Sequence, residues 1–168
     1  MQKIGKADSE MYLRNFVFGV EDSLVSTVGL LSGIAAAGMT KQAIFTTGMV
    51  LVFVEAFSMA VGSFLSEYSV EEYQKNKEVP YKKPLIGSLV MFFSYFCAGL
   101  IPIIPYVLPM TFWLTRTSIL LTLFSLLLLG IISGRFLNIH PVRQGIRMII
   151  MGGAAILVGV IIGKAFAV

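Results

Sequence analysis

Five runs of about twenty apolar residues, each nearly free of charge, constrain this 168-residue chain more than any other feature. The hydrocarbon core of a bilayer is crossed by roughly 20 mostly apolar residues in a helix. The runs place helices at about 15–38, 44–66, 85–107, 115–134 and 145–166. Charged residues make up 13% of the chain and hydrophobic ones 57%, with a mean hydropathy of +0.86, far from the balance of a soluble domain. The expected fold class is therefore an all-α membrane protein, a single five-helix transmembrane domain over residues 1–168. This composition excludes a disordered chain, and Cys97, the one cysteine, leaves no disulfide framework.

The net charge of +4 reads as topology signal, so nucleic acid is not an expected partner. Lys3, Lys6, Arg14, Lys75, Lys77, Lys82, Lys83, Arg135, Arg143 and Arg147 fall on one side of the five crossings, against Lys41, Arg116 and Lys164 on the other. The positive-inside rule then gives a cytoplasmic N-terminus, cytoplasmic loops at about 67–84 and 135–144, and a C-terminus on the opposite side. The polar start of the chain followed by a long run containing Glu21 and Asp22 predicts no cleavable leader.

Five helices are few for a pathway enclosed by one chain, and an odd number does not divide into two inverted repeats. A homo-oligomer is the expected remedy. Small-residue pairs at Gly29/Gly33, Gly130/Gly134 and Gly159/Gly163 permit close helix approach, either within one protomer or at a dimer seam.

The first two helices carry acids in apolar surroundings: Glu21 and Asp22 after Phe16–Val20, and Glu55 after Val50–Val54. A carboxylate facing lipid costs about 2.5–3.5 kcal/mol on insertion scales, so such groups face a bundle interior, a partner or water. At 1.5 Å per residue Asp22 lies roughly 10 Å into the first helix, and Met59 comes to nearly the same depth in the second. Gly48, Glu55, Met59, Gly62 and Ser66 form one stripe, matched by Asp22, Ser26, Gly29 and Gly33. Carboxylates combined with a thioether favour a first-row transition cation over Mg²⁺ or Na⁺. Clustered acids also suit exchange of a metal for protons, with Glu55, Glu21 and Asp22 as the coupling groups. Bland readings stand beside these: Asp22 bonding within a helix break, Glu55 neutral and bonded to a carbonyl, Met59 filling space.

Glu67, Glu71, Glu72 and Glu78 in the 67–84 segment form either a metal-attracting vestibule or a solvated helix end laced by pairs such as Glu71–Lys75. Pro102 and Pro105 are expected to bend or end the third helix. Cys97 reads as packing and His140 as an interfacial histidine. No nucleophile, histidine base or cofactor motif occupies the crossings, so neither an enzyme nor a bound cofactor is expected.

Phe18–Thr27, Ser58–Ser66, Gly99–Pro105 and the final helix from Gly145 to Gly163 together resemble the vacuolar iron transporter family, in order along all five helices. The resemblance implies a homodimer in the lipid bilayer that moves Fe²⁺, often also Mn²⁺, out of the cytoplasm against protons, into a vacuole or across a microbial plasma membrane. Asp22 falls on the family's intramembrane aspartate and Met59 on its methionine, while Glu55 stands where the family commonly has a small residue. Two departures accompany this: Ser23 replaces the usual glycine after Asp22, and Ser63 replaces a glutamate often found after the Ser-Met-x-x-Gly glycine. The long glutamate-rich cytoplasmic domain of plant-type members is absent, with only about 67–84 in its place.

The resulting expectation is an exporter of iron or manganese, with metal ligands drawn from Asp22, Met59, Glu55, Glu21, Glu67 and Glu71. An uncoupled divalent-metal channel and a non-transporting membrane scaffold are the alternatives.

Overall fold

The computed structural model describes residues 6–108 and 113–167, all helix and short connections with no strand among them. Lys3, one of the basic residues of the N-terminal side, lies outside the described residues. Five helices run in chain order: α1 Lys6–Ala36, α2 Lys41–Lys75, α3 Lys82–Val107, α4 Leu114–Phe136 and α5 Pro141–Ala165. All five are long and apolar enough to cross a membrane.

Two helices run well past the expected apolar limits. α1 begins at Lys6 rather than near 15, and α2 continues to Lys75 rather than stopping near 66. Neither added stretch contains glycine or proline, so nothing in its local chemistry halts propagation. Asn76 then ends α2 in the left-handed conformation at φ 50°, a conformation asparagine tolerates. The connection expected over 67–84 thus shrinks to residues 76–81, and Glu67 and Glu71 are helical.

The turn between α1 and α2 is closed by Gly38 at φ +82°. Its amide donates to the Ala35 carbonyl at 3.1 Å while the Met39 amide reaches the Ile34 carbonyl at 3.3 Å, a left-handed stop that glycine adopts without a Cβ clash. Thr40 then caps α2, its hydroxyl accepting from the Ala43 amide at 3.2 Å. At the same end of the bundle Lys41 donates to the Leu108 carbonyl at 2.6 Å, and the Arg116 guanidinium lies 4.0 Å from the centre of the Trp113 ring.

α3 continues through Pro102 and Pro105 to Val107, the exit expected for the third helix. Each proline lacks an amide and frees a carbonyl one turn back, and such stretches persist in membrane helices when neighbours supply support. α4 does so here, with Ser118 donating to the Pro102 carbonyl at 2.6 Å.

α1 packs against all four other helices. On one side a core of Leu24, Ala98, Leu126, Leu129 and Met148 joins it to α3, α4 and α5. On the other, Leu31, Ile44, Val52, Ile103 and Tyr106 join it to α2 and α3. The glycine pairs lie inside this protomer. A Cβ on Gly159 would come within 2.1 Å of the Gly29 carbonyl oxygen, and one on Gly163 within 2.0 Å of that of Gly33, so the pairs on α1 and α5 form one backbone-to-backbone crossing. Gly130 and Gly134 serve α4 against α5, where their added Cβ atoms would meet Gly145 and Pro141 at 2.4 and 2.8 Å. Cys97 faces outward on α3 rather than packing, and exposed His140 precedes Pro141 at the start of α5.

Gly163→Val should lower the apparent melting temperature of the purified protein sharply, as expected for overpacking that costs about 1–3 kcal/mol. Gly153→Ala, whose new Cβ meets nothing within 4 Å, should leave it near the parent value.

Candidate functional site

Two stripes of small and polar residues were expected to face one another across α1 and α2, but these helices make the sparsest contact of any packed pair. The buried face of α2 is Ile44, Gly48, Val52 and Ala56, with Glu67 beyond. Glu55 and Met59 flank that face and are half-buried, while Gly62 and Ser66 are exposed. On α1, Gly29 and Gly33 are taken by α5, leaving half-buried Asp22 and Ser26 on the side toward α2. The expected narrow, glycine-lined seam is thus an open margin of the protomer, since α5 rather than α2 fits the α1 glycines.

Along this margin Asp22 and Glu55 lie within electrostatic reach of each other, as do Asp22 and Glu21. The third helix organises the arrangement. Tyr95 is fully buried, and its hydroxyl donates to Glu55 Oε2 while lying 2.7 Å from Ser26 Oγ. Ser23 on α1 donates to the Tyr95 carbonyl at 2.6 Å. Glu55 is thereby bonded to a phenol rather than to a backbone carbonyl. Met59 follows Glu55 by one turn of α2 and is half-buried. Among the described residues no three histidine, cysteine, aspartate or glutamate side chains converge as a metal-holding group. A cation here would need the thioether, hydroxyls, water or a second chain in addition to the carboxylates.

Glu55 and Ser26 also line a groove of about 640 Å³ between α1, α2 and α5, otherwise walled by apolar and glycine residues such as Leu51, Gly29, Gly33 and Val158. Glu21 points elsewhere, into a cavity of about 250 Å³ with Glu10, Arg14 and Leu137. It does not join the Asp22–Glu55 pair on one face.

Glu67 is buried, not part of a solvated loop. Its Oε1 accepts from Asn15 Nδ2 at 2.5 Å and from Ser63 Oγ at 3.2 Å, with Arg14 Nη2 at 3.5 Å. Asn15 Nδ2 also lies 3.1 Å from the Gly87 carbonyl, so one junction ties α1, α2 and α3. The Arg14 side chain is 70% exposed, so the ion pair itself contributes little. Buried Glu67 Oε2 has no hydrogen-bond partner among the described residues and lies against the Cα of Gly87, where an added Cβ would come within 2.5 Å of it. Glu71, half-buried, pairs with Lys75 one turn on. Glu67, Glu71 and Glu10 line a polar cavity of about 620 Å³ at this end of the bundle, together with Arg14, Lys75 and Lys83.

The sequence profile of the VIT family matches residues 13–83 and 70–164, which together take in all five helices. The chain belongs to the VIT family. It is 27% identical over 168 residues to a protein of Oryza sativa subsp. japonica named vacuolar iron transporter homolog 1, covering 88% of this chain and 70% of that one. It is 24% identical over 213 residues to vacuolar iron transporter 1 of Tulipa gesneriana, covering 91% and 86% respectively. A shorter match, 39% identical over 70 residues, joins 40% of the chain to 35% of vacuolar iron transporter homolog 4 of Arabidopsis thaliana. The Tulipa alignment is longer than this whole chain, so that VIT-family relative carries inserted residues. The two matched stretches of the profile overlap at residues 70–83, the end of α2 and its short connection to α3. With its five spanning helices, this VIT-family chain is a multi-pass integral membrane protein.

Sequence reasoning missed Tyr95 and Asn15. Both left a signal, a hydrogen-bonding side chain within or at the edge of an apolar run that has to find a partner once buried, but sequence separation hides which one. Gly87→Ala should destabilise the protein by about 1–3 kcal/mol through its clash with Glu67 Oε2. On a Glu67→Ala background the same substitution should cost much less in a double-mutant melting series, since the carboxylate oxygen it meets is then gone.

Proposed function

We propose that the protein is a divalent-metal transporter that carries Fe²⁺ or Mn²⁺ out of the cytoplasm in exchange for protons. The observation that carries this reading is the Tyr95 hydroxyl, which bonds Glu55 of α2 and lies 2.7 Å from Ser26 of α1, one turn from Asp22, far inside helices that cross the membrane. Acids at that depth are costly unless they serve an ion or proton path. Relatives named vacuolar iron transporters support the choice of cargo.

In this reading Asp22, Glu55 and Met59 bind the ion: two hard carboxylates supply charge, and a soft thioether disfavours Mg²⁺. Two carboxylates at one site resist simultaneous ionisation, so an arriving metal displaces a proton. Glu55 and Asp22 carry that exchange, with Glu21 adding negative charge beside Asp22. The end of the bundle bearing Arg14, Lys75, Lys82, Lys83, Arg135, Arg143 and Arg147 faces the cytoplasm. The cavity that Glu10, Glu67 and Glu71 share with Arg14, Lys75 and Lys83 lies at that end.

A second copy of the chain completes the path. Glu55 and Met59 sit half-buried beside a wide apolar face of α2 that exposes Val50, Phe53, Val54, Phe57, Val61 and Leu65. The glycine pairs that mark tight helix contacts are already used inside the protomer. Packing α2 against its counterpart would remove the acids from lipid and enclose the ion between two protomers. The membrane is a vacuolar one or a microbial plasma membrane.

Proteoliposomes carrying Asp22→Asn with Met59→Ala should lose metal flux by roughly tenfold or more, the lower range of damage when a metal site loses its ordering groups. Flux equal to the parent would contradict the site. Glu55→Gln should lower the number of protons moved per metal ion more than it lowers metal flux, as read by paired metal and pH dyes.

A further inference from the structure

We propose that Tyr95 is the positioning residue of the cation site, fixing the Glu55 carboxylate toward α1 so that one of its oxygens stays available to the ion. This rests on the metal-transport reading above and adds a third helix to it.

Tyr95 is held at both ends by α1. Its carbonyl accepts from Ser23 at 2.6 Å, and its hydroxyl lies 2.7 Å from Ser26 Oγ. With no exposed surface, the ring has no room to swing. It is a rigid donor delivered through the core from α3 to the margin where α1 and α2 diverge. Glu55, by contrast, is half-buried on α2 beside the apolar groove of α1, α2 and α5. A glutamate has three rotatable bonds, and among the described residues its hydrogen-bond partner is the phenol. Removing that bond frees the carboxylate to leave the Asp22 side.

The chemistry fits a metal site better than simple packing. A phenol donates one proton to Glu55 Oε2 and brings no charge, so it fixes the carboxylate without neutralising it as lysine or arginine would. Oε1 is left to a cation. Ser26, which lies against the phenol hydroxyl, is one turn from Asp22 on the same face of α1, so the chain Ser26, Tyr95, Glu55 links three helices beside Asp22. Orientation of a ligating carboxylate by an outer hydrogen-bond donor is the usual means by which metal sites gain affinity.

The test is a double-mutant cycle on Mn²⁺ binding to the purified full chain in nanodiscs, read by loss of the free-ion electron paramagnetic resonance signal. Tyr95→Phe removes one oxygen and keeps the ring. It should weaken Mn²⁺ binding by about tenfold, the scale of one charge-assisted hydrogen bond, and should add little on a Glu55→Gln background. Parent affinity in Tyr95→Phe, or the same loss on both backgrounds, overturns the positioning role. If Tyr95→Phe does not fold, Ser26→Ala is measured instead: weakened binding absent from the Glu55→Gln background supports the proposal, and parent affinity overturns it. A parent protein that binds no Mn²⁺ removes the cation site itself, and this proposal with it. Parent binding with additive variants removes only the role of Tyr95.

Discussion

Inside a bilayer a polar group is costly unless it finds a partner within the protein, and α1 makes several of the pairings that join this bundle. Its hydroxyls and amide reach across to α3 at three levels: Asn15 to the Gly87 carbonyl, Ser23 to the Tyr95 carbonyl and Ser26 to the Tyr95 hydroxyl. Its glycines accept α5 at backbone distance on the other side. With α3 and α5 fixed in this way, α2 is left to pack mainly on α3, as in the edge-on contact of Phe53 with Phe96 at 4.9 Å. The sparse α1–α2 contact that opens the acidic margin is thus a consequence of how thoroughly α1 is occupied elsewhere.

The same logic separates the three acids of the apolar runs. Glu55 meets a buried phenol, Asp22 faces Glu55 across the margin, and Glu21 turns toward the cavity beside Leu137. Glu67, nearer the helix end, is absorbed into a junction of three helices and keeps one carboxylate oxygen unpaired. Burial alone therefore does not mark the functional acid. The proposed pair, Asp22 and Glu55, differs from Glu67 in lying beside an open face of the protomer, next to the groove that Glu55 and Ser26 line.

The five helices were legible in the sequence because lipid imposes one strong, local pattern, a long apolar run. Their polar ends were not, since residues 6–14 and 67–75 carry no apolar signal and extend as helix only because nothing in them breaks it. The motifs around Asp22 and Met59 located the candidate site, and the glycine spacings located tight helix crossings. Spacing along one helix says nothing about which neighbour fills it, so the stripe on α1 was matched to α2 although α5 occupies its glycines. Tyr95 was out of reach for the same reason: its partners lie 69 and 40 residues away in sequence, on two different helices.

The account stands or falls on exchange at the acidic margin. The most direct measurement is metal uptake by proteoliposomes holding the unmodified chain, with a metal-sensitive and a pH-sensitive dye read together while Fe²⁺ or Mn²⁺ is added outside with and without a proton gradient. Metal uptake that accelerates with the gradient and is matched by proton movement in the opposite direction is the predicted result. Metal uptake with no proton movement, or none for either metal, would contradict it.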